Sequence, residues 1–192
     1  MALPNIYKAT GIILKRTNSG EGDKILTVFC EHWGKKRFVG KGIRKITSKR
    51  SGHIELFSKT AFILHRGKIL DYISGATVKE GYGSSYQSLS QLAVAYTASE
   101  VIDKLIMEGQ EQDEAYCLLD RFLKDVGVLP TLVLSIRLKE FIDTILHVLG
   151  YSRVESVSSS LGNALSSVEQ TIERKIRSIQ LLSRSGVELY KQ

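Results

Sequence analysis

The sequence predicts an α+β protein in which a small five-stranded β-barrel is followed by an all-helical domain. The chain has 192 residues, which suits one domain or two small ones. Its hydrophobic pattern changes from short alternating runs to helical periodicity near residue 82. Its formal charge of +7 is uneven: residues 1–80 carry 16 basic and 6 acidic side chains, a net +10, whereas residues 81–192 carry 11 and 14, a net −3. Such asymmetry indicates two modules, with a polyanionic partner for the first.

The first module is predicted to contain five strands. Before residue 82, β-branched and aromatic residues are frequent, and glycine-bearing turns separate runs such as Ile25–Cys30, where Leu26, Val28 and Cys30 share one face. The predicted strands cover about residues 7–17, 23–31, 34–43, 54–65 and 68–79. Five short strands in this length fit an OB-fold barrel best, so we predict an OB-fold domain over residues 1–80.

Residues 81–192 are predicted to form the helical domain. Amphipathic stripes recur at helical spacing over Ala115–Val126, Leu134–Leu149 and Leu161–Ile179. Pro130 is predicted to open the second of these helices, and Gly150 to follow its end. The segment 85–108 is apolar on more than one side, which predicts a central, buried helix.

The run from Trp33 to Ile54 has no acidic residue. Eight cations fall within 16 positions of this run, and such a cluster repels itself unless an anion lies against it. They are Lys35, Lys36, Arg37, Lys41, Arg44, Lys45, Lys49 and Arg50. On a strand followed by a long loop, these side chains would border one side of an OB barrel, where such folds bind a nucleic-acid backbone. The alternative is a solvated basic loop.

Aromatic residues are interleaved with this basic run. They are Phe29, Trp33, Phe38 and, further along the chain, Tyr72. A base of any identity can stack on such a ring with about 1–3 kcal/mol of stabilisation. Core packing is the commoner role for any one aromatic residue, and Trp33, beside Gly34, is the best candidate for stacking on a base.

The sequence contains no recognisable catalytic or metal-binding pattern. The Gly34–Gly42 run departs from a phosphate-binding loop, because Gly42 stands where Ser or Thr must bind magnesium. The four histidines and the distant Cys30 and Cys117 lack metal-ligand spacing, and carboxylates are sparse in residues 1–80. We therefore expect a binding protein rather than an enzyme, with no cofactor and no metal.

The sequence also predicts where the protein acts. No apolar run approaches the ~20 residues of a membrane span, and the N-terminus does not resemble a signal peptide. Two unpaired cysteines are typical of the reducing cytosol. We expect a cytoplasmic, nucleoid-associated protein that does not bind membranes.

Several motif pieces resemble one known family. In chain order they are Thr10–Arg16, Gly20–Phe29, Gly34–Lys35 and Gly40–Lys45, with Leu149-Gly150-Tyr151 after a long helix. Together they resemble the bacterial DNA repair protein RecO family, over most of residues 7–80. Over residues 85–151 the resemblance rests on the helical pattern and that tripeptide, and beyond residue 151 it nearly vanishes.

The resemblance implies an OB-fold domain followed by a helical domain. It implies binding of single-stranded and double-stranded DNA, annealing of complementary strands and a mediator role in recombinational repair. The implied partners are RecR, the acidic C-terminal tail of single-stranded DNA-binding protein and, indirectly, RecA, which the family helps to load.

Site residues are implied by the same resemblance. Six cations fall on the DNA-binding face: Lys35, Lys36, Arg37, Lys41, Arg44 and Lys45. Arg137 and Lys139 lie where the family binds the acidic tail. Many members also carry zinc-binding cysteines after the Leu-Gly-Tyr segment; residues 151–192 have none, so no zinc is expected.

Two other functions remain open at this stage. One is a generic RNA-binding OB-fold protein, and the other is a scaffolding protein whose basic face binds an acidic protein. A nuclease is a more distant third.

Overall fold

The computed structural model describes residues 5–42, 54–151 and 160–189. Five strands come first: β1 (Ile6–Ser19), β2 (Asp23–Cys30), β3 (Gly34–Gly40), β4 (Ser58–His65) and β5 (Asp71–Gly81). A 3₁₀ turn follows at Tyr82–Ser85. Five helices complete the chain: α1 (Leu89–Leu105), α2 (Asp113–Val126), α3 (Thr131–Val148), α4 (Leu161–Ile172) and α5 (Ile179–Arg184).

The strands close into a barrel in the order β1-β2-β3-β5-β4. Neighbouring strands are antiparallel except for β3 and β5, which pair in parallel through Phe38 with Asp71 and Val39 with Tyr72. This order, with its single short parallel pairing, closes the sheet as an OB fold does. The predicted five-stranded OB-fold barrel followed by helices is therefore confirmed.

Strand alternation fills the barrel interior. Along β4, Ser58, Thr60, Phe62 and Leu64 are buried while the intervening residues are more exposed. Phe62 and Leu64 share one hydrophobic core with residues of the other strands: Leu26 and Val28 of β2, Phe38 of β3 and Ile73 of β5. In β1 the register shifts between Ile13 and Lys15, and this bulge allows Ile12, Ile13 and Leu14 to be buried in succession.

Two predicted strands begin later in the structure than in the sequence analysis. The strand predicted from residue 54 starts at Ser58, because Phe57 is buried with a left-handed φ of 58° that interrupts the extended backbone. The strand predicted from residue 68 starts at Asp71, whose Oδ1 accepts a hydrogen bond of 3.0 Å from the Gly67 N–H and closes the preceding turn. The third strand ends at Gly40, before Gly42 with its φ of 64°.

Contacts divide the described residues into two compact units. The barrel unit comprises Met1–Gly83 with Met107–Asp113, and the helical unit comprises Ser84–Ile106 with Glu114–Gln192. The sequence analysis assigned all of residues 81–192 to one helical module. The structure differs at residues 107–113, which connect α1 to α2 and pack with the barrel strands.

The helical unit is built around α1, which packs against α3, α4 and α5. Its start is fixed by a capping box, since the Ser88 hydroxyl accepts from the Gln91 N–H and the Gln91 side chain accepts from the Ser88 N–H. Ala95, Ala98 and Val101 are fully buried, which confirms the predicted central helix.

The other predicted stripes also pack inward. The α2 stripe is buried at Ala115, Leu119 and Leu123, as predicted. Helix α3 ends at Val148, and Gly150 follows it with a φ of 81°. The Gly150 and Tyr151 N–H groups donate to the carbonyls of His147 and Leu146, which forms a Schellman motif. None of the described helices combines the length and apolar character that crossing a bilayer requires.

The third predicted stripe is divided between two helices. Helix α4 ends at Glu173, which adopts a left-handed φ of 51°. The Glu100 carboxylate then accepts hydrogen bonds from the backbone N–H groups of Arg177 (3.0 Å) and Ser178 (2.8 Å), just before α5. Lys104 Nζ lies 2.8 Å from the same carboxylate.

Burial raises the pKa of Glu100, but these donors outweigh it and hold the pKa below its ordinary value of 4.5.

We expect Glu100→Gln to lower the free energy of unfolding at pH 7 by about 1–3 kcal/mol, because charge-assisted hydrogen bonds are lost. The folded state depresses the Glu100 pKa, so this stabilisation is complete above pH 4.5 and disappears as the pH falls through the lower folded-state pKa. Thermal melts of both proteins at neutral and acid pH measure the effect. A difference in melting temperature that stays constant with pH would contradict it.

Candidate nucleic-acid interface

Three of the predicted DNA-binding cations lie on strand β3. Lys35 and Arg37 alternate with Phe38, whose ring is in the barrel core, so they lie on the outer side of the strand. Lys36 shares the strand side of Phe38 and is half-buried. Burial raises the pKa of the Cys30 thiol to about 12, partly offset by the charge of Lys36, so these two groups are close. β3 thus carries Lys35 and Arg37 on its outer side and Lys36 on the side that faces the barrel core.

The segment Met107–Asp113, named here the 107–113 segment, lies along the edge of the first half of β3. Its Gly109 N–H donates a hydrogen bond of 2.8 Å to the Lys35 carbonyl, and Glu108 forms a parallel bridge with Lys35. The pairing of β5 with β3 is at Phe38 and Val39, so the 107–113 segment contacts β3 at a different place, Lys35. It adds a single parallel bridge to the edge of β3.

The 107–113 segment brings carboxylates to the basic strand. Arg37 Nε lies 3.0 Å from Glu108 Oε2, and His32 Nδ1 lies 3.9 Å from Asp113 Oδ2. The Arg37 and Glu108 side chains are 53% and 44% exposed, so this ion pair contributes at most about 1 kcal/mol. One predicted phosphate-binding cation is therefore held by an internal anion that a phosphate can replace at low cost.

We expect Glu108→Gln to strengthen single-stranded DNA binding about threefold, because the ion pair between Arg37 and Glu108 no longer has to break before Arg37 binds a phosphate. The plot of log affinity against log salt is expected to steepen by about 0.7, the contribution of one phosphate on a single strand. Fluorescence anisotropy with an oligothymidylate at several salt concentrations measures both values. Glu111→Gln makes the same charge change elsewhere in the 107–113 segment and serves as the control. An equal gain in both variants would show a general charge effect and contradict the role of Glu108.

Lys41 lies beyond the end of β3, against the first residues of β5. Its Nζ is 4.1 Å from the centroid of the Tyr72 ring, a cation–π contact. Tyr72 was one of the aromatic residues that the sequence placed near the basic run. Gly42 follows, and its N–H donates to Asp23 Oδ1 at 2.8 Å, so Lys41 is held between the β1–β2 turn and β5.

Trp33 is the exposed aromatic residue of the basic run. It is 37% exposed, and its ring centroid lies 4.8 Å from that of Tyr7, tilted by 39°. Burial and a hydrogen bond to Asp71 raise the Tyr7 pKa above its ordinary value, so the phenol stays neutral. An open groove of about 200 Å³ lies between Trp33 and Lys8–Thr10 of β1. Phe29 and Phe38 are instead buried in the core and cannot stack on a base.

The remaining predicted residues separate into two groups. Arg44, Lys45, Lys49 and Arg50 lie outside the described residues. Arg137 and Lys139 lie on α3, in ion pairs: Arg137 with Glu140 (2.7 Å) and Asp125 (3.3 Å), and Lys139 with Asp143 (2.8 Å). An acidic peptide that binds there has to displace these carboxylates. Within the described ranges, no three metal-ligating side chains cluster.

Comparison with known proteins identifies the family. Residues 1–82 match the family model described as "Recombination protein O N terminal". The barrel region of this chain belongs to the RecO family. The matched residues include β1 to β5, so the RecO match and the OB barrel cover the same part of the chain.

Curated RecO relatives extend the similarity into the helices. The DNA repair protein RecO of Desulforamulus reducens is 38% identical over 123 residues, which is 64% of this chain and 48% of that protein. The RecO of Roseiflexus sp. is 30% identical over 146 residues, 76% of this chain and 50% of the relative. The RecO of Moorella thermoacetica is 34% identical over 132 residues, 68% and 49%. The chain thus spans about half the length of the curated relatives it matches.

Proposed function

We propose that this chain is a DNA-binding recombination mediator. It binds and anneals single-stranded DNA, and it helps RecA to load on DNA coated by single-stranded DNA-binding protein during recombinational repair. One observation carries the DNA-binding part: a closed OB barrel of the RecO family displays Lys35, Lys36 and Arg37 along one strand, with Lys41 directly after it. Relatives named DNA repair protein support the repair role.

Annealing by this surface needs no catalytic group. Cations along β3 reduce the repulsion between two phosphate backbones, and base pairing supplies the free energy. Trp33, exposed beside its groove, holds a base by stacking while the Watson–Crick edge stays accessible. We therefore propose a binding protein and not an enzyme, acting at the nucleoid.

The two modules divide the work. The barrel domain, residues 1–80, holds single-stranded and double-stranded DNA, and the helical domain, residues 81–192, binds RecR and the acidic tail of single-stranded DNA-binding protein. Val128, Leu132 and Ile136 are exposed apolar residues at and before the start of α3, close in sequence to Arg137 and Lys139. Apolar contacts with neighbouring cations suit an acidic peptide that ends in an aromatic residue.

A strand-annealing assay on DNA coated by single-stranded DNA-binding protein tests this proposal. The wild-type chain is expected to anneal complementary coated strands, and to bind single-stranded DNA at least as well as RNA of equal length and sequence. A clear preference for RNA would instead favour an RNA-binding OB protein, because it requires contacts to the 2′-hydroxyl. Weak binding to both at ~0.15 M salt would favour a scaffold for an acidic protein, since surface ion pairs are screened over about 8 Å.

A further inference from the structure

The loop between β4 and β5, residues 66–70, carries an unusually exposed aliphatic side chain at its tip. Ile69 is 94% exposed, more than any other large hydrophobic residue among those described. Burying an isoleucine side chain is worth about 1.5–3 kcal/mol, and this one contributes none of it to the fold.

The loop is held firmly despite this exposure. The Arg66 N–H donates to the Asn5 carbonyl at 2.9 Å, and the Gly67 N–H donates to Asp71 Oδ1 at 3.0 Å. Asp71 is in turn fixed by the Tyr7 hydroxyl, which donates to its other oxygen. A Cβ on Gly67 would lie 2.0 Å from the Leu70 carbonyl oxygen, so the turn closes tightly on itself. The fold therefore presents Ile69 at a defined place.

Cations lie on both sides of this apolar tip. Lys68 is exposed directly before Ile69, and the Arg66 guanidinium lies 5.4 Å from the centre of the Tyr7 ring. Tyr72, three residues after Ile69, carries Lys41 over its ring at 4.1 Å. The loop is thus continuous with the candidate nucleic-acid interface through Tyr72 and Lys41.

We propose that Ile69 packs against the face of an unstacked DNA base while Lys41, Arg66 and Lys68 hold the flanking phosphates. Nucleic acid offers this combination of an apolar surface and anions, because base faces alternate with charged phosphates along one strand. Aliphatic side chains are used elsewhere to separate stacked bases, and the β4–β5 loop of OB folds borders their nucleic-acid-binding strands. This proposal rests on the function proposed above and assigns it a second contact element.

Ile69→Ser tests the proposal without disturbing the core. Binding of an oligonucleotide containing 2-aminopurine, which brightens when it is unstacked, is measured by anisotropy and by emission over a range of salt concentrations. The variant is expected to bind about fivefold more weakly at every salt concentration, the lower end of what losing a stacking side chain costs. It is also expected to lose most of the 2-aminopurine brightening. Because no phosphate contact changes, the salt dependence stays that of the wild type.

Lys68→Gln and Leu89→Ser complete the design. Lys68→Gln is expected to reduce the salt slope by about 0.7 and to keep the brightening. Leu89→Ser replaces an aliphatic side chain that is 51% exposed in the helical unit and is expected to leave DNA affinity and brightening unchanged. Unchanged affinity and brightening in Ile69→Ser would overturn the proposal. A wild-type chain that does not bind the oligonucleotide would reject the proposed DNA-binding function itself.

Discussion

Reversing the charge of Lys35 and Arg37 on β3 and of Lys41 just after it is expected to abolish strand annealing. The triple variant Lys35→Glu, Arg37→Glu and Lys41→Glu removes about three phosphate contacts and adds repulsion in their place. We expect affinity for single-stranded DNA at ~0.1 M salt to fall about 100-fold or more, with annealing at the spontaneous rate. Anisotropy titrations and a fluorescence-quenching annealing assay measure the two effects. Lys36 is left unchanged, because it is half-buried near Cys30 and its reversal would also affect the fold.

A control with the same change in formal charge separates local contacts from net charge. Arg174, Lys175 and Arg177 are exposed residues of the helical unit, and Lys175 is 91% exposed in its side chain. Their replacement by Glu is expected to leave annealing within about twofold of the wild type, since none of the three belongs to the proposed DNA-binding surface and a change in net charge alone is screened at this salt concentration. Equal losses in both triple variants, or annealing retained in the β3 variant, would contradict the placement of DNA on β3.

Gly34→Ala, at the buried first residue of β3, is expected to cause a large loss of stability. Gly34 has a φ of 64°, and an added Cβ would lie 1.9 Å from the backbone oxygen of Gln110 in the 107–113 segment. The left-handed backbone alone costs an alanine about 1–2 kcal/mol, and displacing the neighbouring backbone adds to this. We expect the free energy of unfolding to fall by about 3 kcal/mol or more. Urea denaturation monitored by Trp33 fluorescence measures it.

Gly20 provides the matched control for this substitution. Its φ of 60° is close to that of Gly34, but no atom lies within 4 Å of an added Cβ. Gly20→Ala therefore reports the backbone cost alone, about 1–2 kcal/mol. If the two variants lose the same stability, the 107–113 segment does not press on Gly34, and its contact with β3 is not as tight as the structure indicates.

Local signals account for the parts of the fold that sequence analysis predicted well. Alternation in Ile25–Cys30 and the glycines at turns mark strands within a few residues, so five strands and their order in the chain were predictable. Phe57 was misplaced in a strand, because its left-handed conformation depends on backbone hydrogen bonds to Ile13 and Tyr82, far away in sequence. The local hydrophobic pattern used to predict strands cannot reveal hydrogen bonds between residues so far apart in the chain.

The candidate site was predictable to a similar degree. A run of cations without acids is visible in the sequence, and the structure places Lys35, Lys36 and Arg37 on one strand. The pairing of Arg37 with Glu108 was not predictable, because the two residues are 71 positions apart and are brought together by a backbone contact at Lys35. The acidic composition of residues 108–114 was the available signal. Ile69 was missed because exposure of a single aliphatic residue has no sequence pattern.

The short pairing of β3 with β5 affects whether the barrel can be prepared as a separate fragment. A fragment that stops at residue 82, where the RecO match ends, would lack the Gly109 N–H that bonds the Lys35 carbonyl and would leave that part of the β3 edge open. Open edges recruit strands from other molecules and lead to aggregation. Residues 107–113 therefore protect the edge of β3 from pairing with other molecules. Because they follow α1 in the chain, a fragment needs α1 to include them.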